Sequence, residues 1–198
     1  MFTARSSTVL VAVAVAASLV ACASPERAVG PGPSMQPRDA ASTDALASGG
    51  KGARPINVMD ACDGPSFNAV IGPGTCARPN GVNFNEFVAQ LTAHQSAGAW
   101  HNAPAQTDAW VGDALIAVNK GGEVHTFTKV AQFGGGIVPF LNQLAGTPNV
   151  VPECLNLPPS EFMLPGGTDQ ETLDATGDIK FQCCIHPWMT TTVRVKSK

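Results

Sequence analysis

Seven residues near the C-terminus, Cys183-Cys184-Ile185-His186-Pro187-Trp188-Met189, constrain the fold more than any other part of the chain. They place a thiol, an imidazole and a thioether in one short loop, directly after an alternating run that begins at Ile179. Successive side chains of a strand point to opposite faces, so Ile179, Phe181 and Cys183 share the apolar face and Cys184 points the other way. The sequence therefore predicts a buried Cys183 at the end of a strand.

The spacing Cys-x-x-His-x-x-Met supplies ligands that favour copper. A thiolate and an imidazole bind copper strongly, and a weakly bound thioether completes a trigonal site. Such a site needs a second imidazole, and the segment Gly121–Phe127 offers one in His125. We therefore expect His125, Cys183, His186 and Met189 to hold one mononuclear copper ion.

Each of these ligands has an ordinary structural alternative. His125 could be a hydrogen-bonded strand histidine, Met189 could be plain core and leave a three-ligand site, and Cys183 could join a disulfide. His186 could also be a histidine that binds no metal. Zinc prefers closed tetrahedral sets of Cys and His and would not select a methionine. A dinuclear copper centre needs two bridging thiolates at a wider spacing than that of Cys183 and Cys184. A Cys–His nucleophile needs a third group that orients its base, and the rigid motif around Pro187 gives no sign of one.

The N-terminus has the features of an export signal. Arg5 supplies a short positive region, and Val9–Val20 form an apolar run too short to span a bilayer as a mature helix. The run ends in Leu19-Val20-Ala21-Cys22, which resembles the lipobox of bacterial lipoproteins, although the same small residues would also serve as an ordinary cleavage site. We expect residues 1–21 to be a signal peptide, Cys22 to be lipidated, and the protein to be exported to the periplasm or the cell-envelope membrane.

Export permits disulfides, and the chain has six cysteines. Cys62 and Cys76 bracket a loop rich in Gly, Pro and Asn, and we expect them to pair locally. If one cysteine is lipidated and another binds the metal, Cys154 and Cys184 remain to pair with each other. The prediction of this second bridge rests only on the count of the cysteines that remain.

Composition divides the rest of the chain into three parts. Residues 22–55 are rich in Ala, Ser, Pro and Gly, and we interpret them as a lipid-anchored flexible linker. Residues 56–99 form a turn-rich extension that contains an amphipathic helix beginning near Asn83. Residues 100–198 carry short strand patterns separated by Gly-rich turns, which predict antiparallel hairpins. We expect an all-β protein, a Greek-key β-sandwich with a short N-terminal helical extension closed by a disulfide.

The two metal-binding motifs resemble those of the cupredoxins, in particular the small plastocyanin-like and amicyanin-like blue copper proteins. The resemblance covers roughly residues 100–198 and rests on Cys183–Met189 and on the turn and strand that carry His125. It implies a cupredoxin-like domain over these residues and one Cu(I)/Cu(II) ion held by the four ligands named above. It also implies that His186 lies at the solvent edge, where electrons enter.

The charge balance excludes one class of partner. The formal net charge is -3 and no Lys/Arg cluster occurs, so we do not expect nucleic-acid binding. We expect a monomeric electron carrier, not an enzyme, that serves redox proteins of the cell envelope and is attached to the membrane by its N-terminal lipid. The alternative is a copper buffer, delivery or sensing module. A third hypothesis is an interaction protein whose copper site has been lost to a disulfide of Cys183 or Cys184.

Overall fold

Two four-stranded sheets form the framework of residues 52–197, the part of the chain that the computed structural model describes. The strands are β1 (Ala53–Met59), β2 (His101–Ala103), β3 (Gln106–Trp110), β4 (Ala114–Asn119), β5 (Thr128–Val130), β6 (Thr168–Thr172), β7 (Gly177–Gln182) and β8 (Thr190–Lys196). The helices are α1 (Gly64–Val70), α2 (Phe84–His94) and α3 (Pro139–Leu144), with short 3-10 turns at Pro152–Cys154 and Pro159–Glu161. The predicted signal peptide, Cys22 and the linker up to residue 51 lie outside the described residues.

The strand order identifies a sandwich. The first sheet has the order β2-β1-β4-β6 and the second has the order β3-β8-β7-β5. β1 pairs with β4 and β3 with β8 in parallel, while the other neighbours are antiparallel. The chain changes sheet at every connection from β2 to β7, and one buried core lies between the sheets. The all-β Greek-key sandwich predicted from the sequence is confirmed.

Two details of the sequence prediction are wrong. β3 and β4 do not form a hairpin, because a turn at Gly112, with a φ of 91°, leads from one sheet to the other. The sandwich also begins at Ala53 and not at residue 100, since β1 lies in the middle of the first sheet and pairs on both sides. The strand pattern of β1 is weak, because Ile56 and Val58 are its only fully buried side chains.

The N-terminal extension is packed on the same core as the strands. α2 begins where predicted, with the Asn83 side chain accepting a hydrogen bond from the backbone N–H of Glu86. Phe67 of α1 and Phe87 of α2 contact Trp100, with ring centroids 5.8 Å and 4.6 Å from the indole, respectively. These aromatic rings belong to the buried cluster that fills the sandwich. The extension is therefore part of the folded unit that contains the sandwich.

Two disulfides fasten loops to this framework. Cys62 pairs with Cys76, which closes the segment that holds α1, and Cys154 pairs with Cys184. The second bridge lies in a small buried cluster on the outer face of the second sheet and ties the long connection after β5 to the end of β7. Within residues 52–197, no helix combines the length and apolar character needed to cross a membrane.

Asp113 fastens the start of β1 to the turn between β3 and β4. Its buried carboxylate accepts hydrogen bonds from the backbone N–H groups of Gly52 and Trp110 and from Nε of Arg54. Burial by itself would raise the pKa of Asp113, but these hydrogen bonds outweigh it and lower the pKa. A lowered native pKa stabilises the fold above the ordinary pKa of about 3.9, and that stabilisation is lost as the pH falls.

We therefore expect the loss of stability caused by Asp113→Asn to be larger near neutral pH than at acidic pH. The difference in free energy of unfolding between wild type and variant should shrink as the pH falls from about 5 toward about 2. Urea unfolding of the metal-free protein over this range measures it. Asp178→Asn is the control, because within residues 52–197 this exposed carboxylate pairs with exposed Arg194 alone, and its replacement should change the stability little. If the difference in free energy of unfolding between wild type and Asp113→Asn were constant with pH, the native pKa of Asp113 would not be lowered.

Candidate metal centre

Three buried side chains direct their ligand atoms at one another near the end of β7. The Cys183 sulfur lies 3.7 Å from Nδ1 of His125 and 3.8 Å from Nδ1 of His186. The three ligand atoms all lie within 4.8 Å of one another. His125 and Cys183 are 0% exposed and His186 is 2% exposed. The structure therefore brings together the thiol and both imidazoles that the sequence analysis selected.

Met189 closes the loop that carries two of these ligands. Its backbone N–H donates to the carbonyl of His186 at 2.9 Å, and the N–H of Cys183 donates to the carbonyl of Met189 at 3.0 Å. The Met189 side chain is fully buried in the same core cluster as Cys183. Trp188 braces the loop by donating its indole N–H to the carbonyl of Trp100 at 3.2 Å. The role of Met189 as a weak fourth ligand stays a prediction.

The protein stabilises Cys183 as a thiolate. The backbone N–H groups of Thr126 and His186 both lie 3.4 Å from its sulfur and donate to it. Burial raises the pKa of the Cys183 thiol, but the hydrogen bonds and charges of His125 and His186 outweigh burial and lower that pKa well below its ordinary value. The thiolate is the form that binds metals.

The neighbouring cysteine does not compete for this role. Cys184 lies on the other side of the strand, where it is bonded to Cys154, as the alternation of β7 predicts. Its backbone N–H donates to the hydroxyl of Thr126 at 2.8 Å. Among the described cysteines Cys183 is the free thiol. The hypothesis that a disulfide consumes this ligand is not supported by the geometry.

Asp60, just after β1, holds the far side of His125, and the sequence analysis missed it. Its Oδ2 lies 2.8 Å from Nε2 of His125. The same carboxylate accepts the backbone N–H groups of Cys62, Gly122 and Glu123. Because the carboxylate accepts from Nε2, that nitrogen carries the proton and Nδ1 keeps its lone pair for a metal.

These contacts change the pKa values of both partners. Burial would raise the pKa of Asp60, but its hydrogen bonds with His125 and the backbone hold it well below its ordinary value. Burial would lower the pKa of His125, yet the hydrogen bonds to Asp60 and Cys183 raise it to about 9 in the metal-free protein. The two shifts have one cause, because the Asp60 carboxylate and the protonated His125 imidazole stabilise each other in a buried pair.

Gly121 allows Asp60 to reach the histidine. A Cβ atom at Gly121 would lie 1.8 Å from Oδ2 of Asp60, so any side chain there would displace the carboxylate. The turn itself is held by Asn119, whose side chain donates to the carbonyls of Glu123 and Met163 and accepts from the N–H of Gly121. The Gly-Gly turn before His125 is therefore required for close approach.

Glu123 is a second buried carboxylate beside the cluster. Its Oε2 lies 3.6 Å from Nε2 of His186 and accepts the indole N–H of Trp100. Burial, together with the nearby charge of Asp60, raises the pKa of Glu123. The side chain of Glu123 is thus fixed in the interior by Trp100 and faces the outer nitrogen of His186.

The expectation that His186 lies at the solvent edge is wrong. His186 is 2% exposed, and side chains of α1, α2 and α3 lie over this end of the sandwich. An apolar cavity of about 290 Å³ leads toward His186 and Glu123, with Phe67, Phe87 and Leu141 among the residues that line it. Side chains at this cavity that remain exposed include Ile71 and Phe140, at 56% and 50%.

The donor set fits a single ion of a first-row transition metal. The Cys183 sulfur and the two Nδ1 atoms lie close enough together to bind one ion at the same time. A soft thiolate with two imidazoles is a donor set that copper favours. A second cluster, Asp60, Cys62 and Glu123, does not offer a thiolate, because Cys62 is in a disulfide.

Comparisons with known proteins give structural similarity only. No family model matches the chain, and no curated protein matches it. A purple cupredoxin from Nitrosopumilus maritimus is similar at 15% identity and a TM-score of 0.41, covering 72% of this chain and 99% of the other.

Two further solved structures have the same character. Plastocyanin from Dryopteris crassirhizoma is similar at 12% identity and a TM-score of 0.37, again over 72% of this chain and 99% of the other. An amicyanin mutant in the Cu(I) state is similar at 16% identity and a TM-score of 0.35, over 50% of this chain and 76% of the other. At such low scores, the assignment of the fold depends on the strand topology described above.

Proposed function

We propose that this protein holds one mononuclear copper ion through His125, Cys183 and His186, with Met189 as a weak fourth ligand. The observation that carries the proposal is the buried free thiol of Cys183, which lies between two imidazole Nδ1 atoms at 3.7 and 3.8 Å. When bound, copper supplies one-electron chemistry between its Cu(I) and Cu(II) states. The protein residues orient the ligands, exclude water and stabilise the thiolate.

We infer that the protein is an electron carrier and not an enzyme. The ligand side chains are buried and fixed by hydrogen bonds, so they need to move little when the charge of the ion changes. Such a closed site also opposes release of the ion, which favours a carrier over a copper buffer or delivery module. A redox protein of the cell envelope would approach at the apolar cavity beside His186, where Ile71 and Phe140 are exposed.

The cellular setting of the proposal comes from the N-terminal sequence. An exported protein anchored through a lipid on Cys22 would work at a membrane surface, with the part of the predicted linker that precedes β1 as its tether. The two disulfides agree with an oxidising compartment. We propose that the protein acts there as a monomer.

Copper retention during redox cycling separates a carrier from a buffer. We expect the copper-loaded protein to be reduced by ascorbate and reoxidised repeatedly, with at least about nine-tenths of its copper retained when a Cu(I) chelator is present at equal concentration. The buried, preorganised ligands provide the physical reason, because release would require the core to open. Absorbance of the chelator complex measures any copper lost. Transfer of most of the copper to the chelator within one cycle would favour the buffer or delivery role.

A further inference from the structure

We propose that Asp60 and Glu123 are positioning residues that orient the two imidazoles and lower the reduction potential of the bound copper. The proposal rests on the copper site proposed above. It comes from one repeated geometric feature: each histidine directs Nδ1 at the Cys183 sulfur and Nε2 at a buried carboxylate.

The charge on Asp60 follows from its partners. Its two oxygens accept backbone N–H groups of Cys62, Gly122 and Glu123, and one oxygen lies 2.8 Å from Nε2 of His125. Three backbone N–H donors at these oxygens stabilise the ionised carboxylate over its protonated form. With Asp60 ionised, Nε2 of His125 keeps its proton when Nδ1 binds a metal.

Glu123 performs the corresponding role for His186 at a longer distance. Trp100 donates its indole N–H to Oε2 of Glu123, and this oxygen faces Nε2 of His186 at 3.6 Å. That separation exceeds a hydrogen bond. When Nδ1 of His186 binds the metal, Nε2 carries a proton, so this N–H and the indole N–H both face Oε2 and favour the ionised carboxylate against the effect of burial. Trp100 is packed between α1 and α2, so the extension determines where Glu123 points.

Two carboxylates near a buried cation bias its redox equilibrium. The oxidised ion carries one more positive charge than the reduced ion, so an adjacent anion stabilises the oxidised state more. Burial strengthens this difference, because the site contains little solvent to screen it. Removal of either negative charge should therefore make reduction easier and shift the potential to a more positive value.

The test compares Glu123→Gln, Asp60→Asn and the control Asp113→Asn. Glu123→Gln is the sharper variant, because a glutamine oxygen can still accept from Trp100. Asp60→Asn places an amide N–H₂ among backbone donors, so its circular dichroism and thermal unfolding are checked first. Asp113 is a buried carboxylate with similar hydrogen bonds at the opposite end of β1, and its replacement should leave the potential unchanged.

Two readouts are measured. Redox titration of the copper-loaded proteins should give a more positive potential for Glu123→Gln and for Asp60→Asn than for wild type and Asp113→Asn. In the metal-free proteins at about pH 10.5, above the His125 pKa of about 9, ¹⁵N NMR should report neutral His125 with its proton on Nε2 in wild type and mixed tautomers in Asp60→Asn. An unchanged or more negative potential for a copper-loaded, folded Glu123→Gln would overturn the proposal.

The outcomes also separate this proposal from the copper site itself. If the wild-type protein fails to bind copper through Cys183, the proposed function fails at that step. The NMR experiment on the metal-free protein still decides whether Asp60 orients His125, because it needs no metal. Retention of the wild-type tautomer in Asp60→Asn would overturn the positioning role of Asp60 in either case.

Discussion

Cys183→Ser is expected to lower the affinity of the protein for Cu(I) by more than about 100-fold. Loss of an outer-shell partner of a metal ligand typically costs 10- to 100-fold, and this substitution removes the ligand itself. A serine hydroxyl is a hard, neutral donor, whereas copper binds a soft thiolate strongly. Competition with a Cu(I) chelator of known affinity measures the loss.

The matched control for this experiment is the double variant Cys154→Ser/Cys184→Ser. It removes two sulfur atoms but keeps Cys183, whose sulfur is the one near His125 and His186. Its Cu(I) affinity should stay within a few-fold of wild type. The assignment of the thiolate would be refuted by a Cys183→Ser protein that binds copper as tightly as wild type while the control loses binding.

Removal of the Cys154–Cys184 disulfide is expected to have the largest effect on stability. The bridge closes a sequence separation of 30 residues, and the chain-entropy relation assigns such a loop about 3.6 kcal/mol. Both cysteines are buried with Val130 and Val151 on the outer face of the second sheet. Loss of the bridge therefore releases the constraint on the unfolded chain and removes a contact from this outer cluster, which is separate from the core that holds Cys183.

Urea unfolding of the Cys154→Ala/Cys184→Ala double variant measures this cost. The double variant Cys62→Ala/Cys76→Ala is the comparison, since its separation of 14 residues corresponds to about 3 kcal/mol. Both losses should exceed about 2 kcal/mol. A loss below about 1 kcal/mol for the first variant would mean that the second sheet holds the connection without the bridge.

Local sequence patterns predicted the fold class and the meeting of the Cys183 thiol with two imidazoles. Cys183 and His186 lie within one short loop, so their separation along the sequence limits their separation in space. Strand alternation distinguished Cys183 from Cys184, because the two faces of β7 meet different buried clusters. His125 was recognisable because it follows a Gly-Gly turn at the end of a regular strand, β4.

The features that the sequence did not predict depend on packing between segments that are distant along the chain. Asp60 lies 65 residues from its partner His125, and no local pattern marks a polar residue at a strand end as the support for a distant imidazole. β1 pairs in parallel with β4, so no tight turn signals the pairing. The burial of His186 depends on α1, α2 and α3 meeting over one end of the sandwich, which periodicity within each helix cannot reveal.

The proposed copper site is tested by the visible absorption spectrum of the full-length protein after addition of one equivalent of Cu(II). We expect an intense thiolate-to-copper charge-transfer band that saturates at one copper per chain and disappears in Cys183→Ser. Weak absorption alone, from a folded protein whose Cys183 still reacts as a free thiol after unfolding, would show that the site does not bind copper in this way.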